Sequence, residues 1–337
     1  MLWNFTMTKK ESSEENKIKD ITHILKNKFP LKIKYNNFFH LTERKTYSKH
    51  DNFICTNILQ NKLSLNIYLA LKNNSTGEGY IFDKENNIYL KAHFQIISKL
   101  LINYKQNHLI SCSYDKYIKI WDISKNIQKI IYISLLKGHK GRIYDMELIE
   151  DKQKLLSCGM DKNILLWDIE KFILIKNITL TSSFHNLFVK YLSYDSNSNE
   201  LILVYSKNAI INIVNIDDNK IFYTIAIGLK AEPIIFINNQ ECIYQNSKNL
   251  FLIIYNFINK IIVGELKGCI NNILILYKID LMNKIISFDK GNDIRIWNLN
   301  KNFCELCIKV DFVLYCLYVN NEGELFCGSL NKTLIYD

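Results

Sequence analysis

The chain has 337 residues, 48% of them hydrophobic, enough to bury a large core as one repeat domain or two ordinary ones. No apolar run approaches the roughly 20 residues that cross a bilayer, and the opening MLWNFTMTKKESSEE lacks a basic segment followed by a long apolar one, so neither membrane anchor nor secretory leader is expected. The net charge of +10 points toward anionic partners, but eleven Lys and Arg against five Asp and Glu in the first fifty residues account for +6 of it, and the only arginines are Arg44, Arg142 and Arg295.

Residues 1–34 differ in pattern from the remainder. Ser12 and Glu15 form a capping box, and Ile18, Ile21, Ile24, Leu25 and Phe29 recur at three- and four-residue steps until Pro30. The pattern predicts a short amphipathic helix, packed on a neighbouring rim or presented to a partner, with Trp3 and Phe5 in front of it. Residues 35–41 read as an isolated strand, followed by a polar turn and Lys49-His50.

Short alternating runs separated by turns fill the rest of the chain. The best-formed unit is 137–168, KGHKGRIYDMELIEDKQKLLSCGMDKNILLWD. Its three predicted strands are too few to bury their own faces, so the unit must stack on copies of itself. Counting back from Trp167, Asp161 stands six residues earlier, Ser157 ten and His139 twenty-eight; from Trp121 the same offsets reach Asp115, Ser111 and His93. With its Gly-His start and Trp-Asp end the unit resembles the WD-repeat (WD40-type) β-propeller family. The resemblance implies that His93, Ser111, Asp115 and Trp121, and likewise His139, Ser157, Asp161 and Trp167, form a structural hydrogen-bonded relay in each blade.

Closing dipeptides recur at Phe82-Asp83, Trp121-Asp122, Trp167-Asp168, Val214-Asn215, Tyr255-Asn256, Trp297-Asn298 and Tyr336-Asp337, spaced by about 39, 46, 47, 41, 42 and 39 residues. The expectation is an all-β, seven-bladed propeller of four-stranded antiparallel blades over 35–337, with the N-terminal helical extension over 1–34. Pairing of strand 35–41 with the C-terminal blade would close the ring and remove open sheet edges. The relay decays outside its two good copies. Near Trp297, Ser287 persists, but Cys269 and Gly291 stand where His and Asp belong; Asn208 and Asn249 hold the Asp position in two other blades; His50 serves the first blade only with an insertion; the last blade is one residue short.

No stretch carries the pattern of a catalytic or metal site. Cys304 and Cys307 form the sole Cys-x-x-Cys, lack a second ligand pair, and as strand residues three apart are expected to diverge, so no metal site is assigned. The His, Ser and Asp of the relay mimic a hydrolase triad, but their copied spacing marks a structural network, and no catalytic residue is assigned. There is no glycine-rich phosphate loop and no calcium-loop spacing, so no cofactor is expected. Nine cysteines without a leader read as reduced, mostly buried thiols in a cytoplasmic or nuclear protein. What remains is surface. The propeller reading puts Phe94, Tyr114, Arg142, Tyr144, Met160 and Phe288 on loops of one face, a candidate partner-binding face. The expected function is a non-enzymatic protein–protein interaction scaffold, a subunit of a larger intracellular complex that binds peptide segments or other subunits away from any membrane. The alternative is an RNA- or nucleic-acid-associated propeller in ribosome assembly or RNA processing.

Overall fold

A computed structural model describes residues 52–329, apart from 125–128, 180–188, 196–199, 206–209, 217–220, 227–232, 239, 247, 280–282, 311–312 and 320–324. All regular structure in the described residues is β-strand. Strands pair antiparallel with their sequence neighbours into four-stranded sheets spanning 53–93, 97–137, 143–179, 189–226, 234–266 and 273–309, here blades 1 to 6. A closing sheet of two strands, Leu314–Val319 and Leu325–Ser329, completes the described chain.

The first strands of these sheets touch one another in turn, blade 1 to 2, 2 to 3 and 3 to 4, then 5 to 6, 6 to the closing sheet, and the closing sheet back to blade 1. First strands are therefore innermost and fourth strands outermost. Exposure agrees: the fourth strands begin with Ile131 and Tyr132, with Ile173, Leu174 and Ile175, and with Ile261, Ile262 and Val263, all exposed. Apolar clusters lie between blades. Ile110, Cys112, Ile118 and Ile120 of blade 2 pack on Ile143, Met146, Leu155 and Trp167 of blade 3, the burial that makes a lone sheet stable only as part of a stack.

The expectation of seven four-stranded blades does not hold. Six sheets have four strands, and the closing sheet has two among the described residues. The further strands assigned to it from sequence, 35–41 and 333–336, lie outside the described residues, as do the N-terminal helix and His50. The described residues contain no helix.

Asparagine does much of the turn work in a chain with two prolines. Asn87, Asn107, Asn283, Asn292 and Asn302 adopt positive φ between 51° and 62°, a region that Asn tolerates better than other side chains. Asn61, Asn73, Asn103, Asn246 and Asn256 accept backbone N–H groups two or three residues onward through Oδ1.

The Gly-His pair has a steric reason as well. A Cβ on Gly138 would stand 2.8 Å from the Trp167 ring and 3.0 Å from Leu165 Cδ1. Gly138→Ala should therefore lower stability by about 1–3 kcal/mol through overpacking, read as a reduced melting temperature; an unchanged one would contradict this packing.

Candidate functional site

Each good repeat builds one polar chain through an apolar interface. In blade 3, Trp167 Nε1–H donates to Ser157 Oγ at 2.8 Å, Ser157 Oγ meets His139 Nε2 at 2.7 Å, and His139 Nδ1 meets Asp161 Oδ2 at 2.9 Å. In blade 2 the same links run Trp121–Ser111 at 2.9 Å, Ser111–His93 at 2.8 Å and His93–Asp115 at 2.9 Å. With Nδ1–H donating to the carboxylate and Ser O–H donating to Nε2, the buried groups of each chain find partners. Both serines are fully buried with their oxygens engaged by Trp and His, so neither can reach a substrate carbonyl.

Four of the expected face residues sit where these chains fix the backbone. Asp115 Oδ2 also accepts the Phe94 N–H at 3.1 Å, and Asp161 Oδ2 accepts the Lys140 N–H at 2.7 Å. Each Asp thus pins the loop leading into its blade. The hairpin turn is tied to the same loop by Tyr114 N–H to Ile96 O in blade 2 and Met160 N–H to Arg142 O in blade 3. Tyr114 meets Tyr144 edge-on at 5.7 Å between ring centroids, and the Arg142 guanidinium lies 5.4 Å over the Tyr114 ring. Phe94 and Met160 are exposed, at 70% and 51%. Phe94, Tyr114, Arg142, Tyr144 and Met160 therefore gather on the loops and strand ends of blades 2 and 3.

Phe288 does not belong to this face. It is fully buried against Val310, Leu314 and Leu317. It directly follows Ser287, as Cys112 and Cys158 follow the other two relay serines, and alternation turns that position into the interface with the next sheet. Exposed apolar residues at comparable places that sequence reasoning missed are Ile270, Leu274, Val313 and Tyr315. A repeated irregularity signals two of them. The first strands of six sheets carry a one-residue bulge, at Thr56, Ser98, Tyr144, residue 190, Leu274 and Tyr315. Thr56 and Ser98 use it to donate to carbonyls of the next blade, Ile97 O and Ile143 O; Leu274 and Tyr315 are exposed there instead.

Blade 6 solves its lost relay differently. Trp297 Nε1–H still donates to Ser287 Oγ at 2.8 Å. In place of the His–Asp link, buried Arg295 donates to Asp289 at 2.6 Å and to Asp293 at 2.8 Å. The signal was one of only three arginines, two residues before a closing Trp. On the neighbouring outer strand a bulge at Glu305 pairs Cys304 with Trp297 and Cys307 with Arg295. Trp297 and Arg295 share a face, so the two thiols do as well, against the divergence expected from spacing alone. No group of three or more potential metal ligands forms among the described residues.

A second ion cluster joins inner strands. Lys99 Nζ reaches Asp145 at 2.7 Å and Glu147 at 3.6 Å, while Asp145 Oδ2 accepts the Leu192 N–H of blade 4 at 2.9 Å. Burial opposes the charge on Lys99, but the two carboxylates hold it protonated above its ordinary range.

The family model "WD domain, G-beta repeat" matches residues 85–122 and 130–168. The chain carries WD40 repeats. Each match begins with the outer strand of one blade and ends with the third strand of the next, so each of these two repeats interlocks two blades. No curated protein matches the chain.

Two outcomes test the WD-repeat core. Arg295→Ala strands two buried carboxylates and should cost about 3–5 kcal/mol, more than the roughly 1–3 kcal/mol of His139→Ala, which takes one partner from Ser157 and leaves the Asp161 carboxylate the Lys140 and Asn163 N–H groups; chemical denaturation giving the reverse order would contradict the substitution of one network for the other. Acid provides the second. Burial holds His93 below its ordinary 6.5 despite Asp115. Burial also raises Asp115 and Asp161, yet their histidines and backbone N–H groups outweigh it and leave both below 3.8. In each case the unfolded chain binds a proton that the native one refuses, so stability is lost as pH falls. The melting temperature should decline as pH drops through about 6.5 and again below about 4, and His93→Gln should flatten the upper decline; an unaltered profile would detach it from this histidine.

Proposed function

We propose that this WD-repeat propeller is a non-enzymatic protein-interaction scaffold, a subunit of a larger complex that receives acidic, aromatic-containing segments of its partners on the loop face of blades 2 and 3. The observation that carries the reading is the Tyr114–Tyr144–Arg142 cluster, with exposed Phe94 and Met160 beside it, on loops held by the two intact relays. Tyr, Phe, Met and Arg are the residues that dominate protein interfaces, and preordered loops reduce the entropy lost on binding. Exposed Lys116, Lys140 and Lys162 lie on the same loops, while the acidic Asp115 and Asp161 are consumed by their histidines. The face therefore presents cations and aromatic rings, which favours an acidic partner. No helix among the described residues is long and apolar enough to cross a membrane.

The same mixture of rings and cations also suits single-stranded RNA, in which bases stack on tyrosine and binding weakens steeply with salt. Affinity capture with the full chain and with the Tyr144→Ala/Arg142→Ala double variant separates the two. A protein partner retained by the first and lost by the second, at unchanged melting temperature, is the expected result. Equal recovery by both would remove this face, and salt-sensitive RNA binding lost in the double variant would favour nucleic acid.

A further inference from the structure

The ring closes where the closing sheet meets blade 1, and two cysteines face each other there. Cys55, on the inner strand Phe53–Gln60, and Cys316, on the inner strand Leu314–Val319, are 261 residues apart in sequence, yet their sulfurs lie 3.7 Å apart. Cys316 Sγ is also 3.5 Å from the Cys55 carbonyl oxygen. Both are buried among Ile58, Leu69, Leu71 and Phe326. The room for two sulfurs comes from Gly328, the cross-strand partner of Cys316. A Cβ at that glycine would stand 2.2 Å from Cys316 Sγ and 3.1 Å from Cys55 Cβ. The gap thus has a residue dedicated to it on a third strand.

We propose that Cys55 and Cys316 form a reversible covalent clasp, which a small disulfide such as oxidised glutathione closes to join the first and last sheets of the propeller. The sulfurs must approach by about 1.7 Å to reach a bond length near 2.0 Å, over a gap left clear of side chain by Gly328. The Cys55 thiolate attacks one sulfur of glutathione disulfide and expels a glutathione thiolate, which takes up a proton. Cys316 then gives up its proton to solvent and attacks the Cys55 sulfur of the mixed disulfide, expelling the second glutathione. Two protein thiols are oxidised, and one glutathione disulfide is reduced to two thiols. The hydrogen bond from Cys316 holds the Cys55 thiol below its ordinary value, whereas that bond and burial push Cys316 well above it, which fixes the order of attack. The oxidant reaches the pair when the seam opens locally, and the bond then prevents reopening.

The full chain is incubated with oxidised glutathione, alkylated, digested without reduction and mapped by mass spectrometry, alongside thermal unfolding. The expected result is a peptide pair linked through Cys55 and Cys316 and a melting temperature raised by several degrees, because the bond closes a very long loop. Dithiothreitol should reverse both. Cys55→Ser and Cys316→Ser should abolish both, while Cys307→Ser, at an exposed thiol, should preserve them. Where a serine variant does not fold, wild type with and without dithiothreitol reads the same two quantities. The clasp is overturned by alkylation of both cysteines after oxidation, by glutathione on Cys307 alone, by a link to Cys327 instead, or by the expected link without a rise in melting temperature.

Discussion

A buried serine oxygen that must accept from tryptophan and answer to histidine organises the best-formed part of this protein. Ser111 and Ser157 lie at the bottom of apolar interfaces with no access to water, so every polar atom joined to them needs a protein partner. Each chain of bonds ends at an Asp near the surface, and that Asp also accepts a backbone N–H from the loop leading into its blade. The demand of a buried hydroxyl is thereby transmitted to the face. The loops of Phe94 and Arg142 are shaped by the same residues that seal the core, so a rigid platform follows from satisfying hydrogen bonds inside.

Departures from this scheme keep the constraint and change the chemistry. In blade 6 the Trp–Ser bond remains, but Arg295 with Asp289 and Asp293 supplies the buried polar network. Blade 1 replaces the relay tryptophan with Phe82, which packs on Tyr89 at 4.4 Å, while Phe53 meets Tyr80 edge-on. Blade 5 uses Gln245, which accepts the Ile273 N–H of blade 6 and donates to Leu250 O and Asn271 O. Inner strands add their own ties, from Thr56 and Ser98 hydroxyls to the Lys99–Asp145–Glu147 cluster. These interfaces serve the same two ends, removing apolar area from water and giving the buried polar groups named above a partner.

The seam differs from the other interfaces because it joins chain segments that local sequence cannot align. Elsewhere an outer strand continues directly from the repeat before it, and covalent continuity sets its register. At the seam the inner strands of blade 1 and the closing sheet meet through residues such as Cys55, Cys316 and Phe326. Loop-closure entropy is greatest for such a contact, so a pair of thiols there has more to contribute than the same pair within a hairpin.

The sequence by itself determined the repeat. Spacing of His93, Ser111, Asp115 and Trp121 and of their copies is a local property, and the relay partners, the antiparallel strand order and the loop positions of Phe94, Arg142 and Met160 all derive from it. The tertiary structure decided what depends on neighbours across an interface. Phe288 turned inward because alternation places it against the next sheet, where the reading from loops had set it outside. Cys304 and Cys307 came to one face because a bulge inserts a residue that spacing cannot reveal. The choice of Arg295 as the centre of a buried network and the meeting of Cys55 with Cys316, 261 residues apart, arise from three-dimensional contacts that no periodicity records.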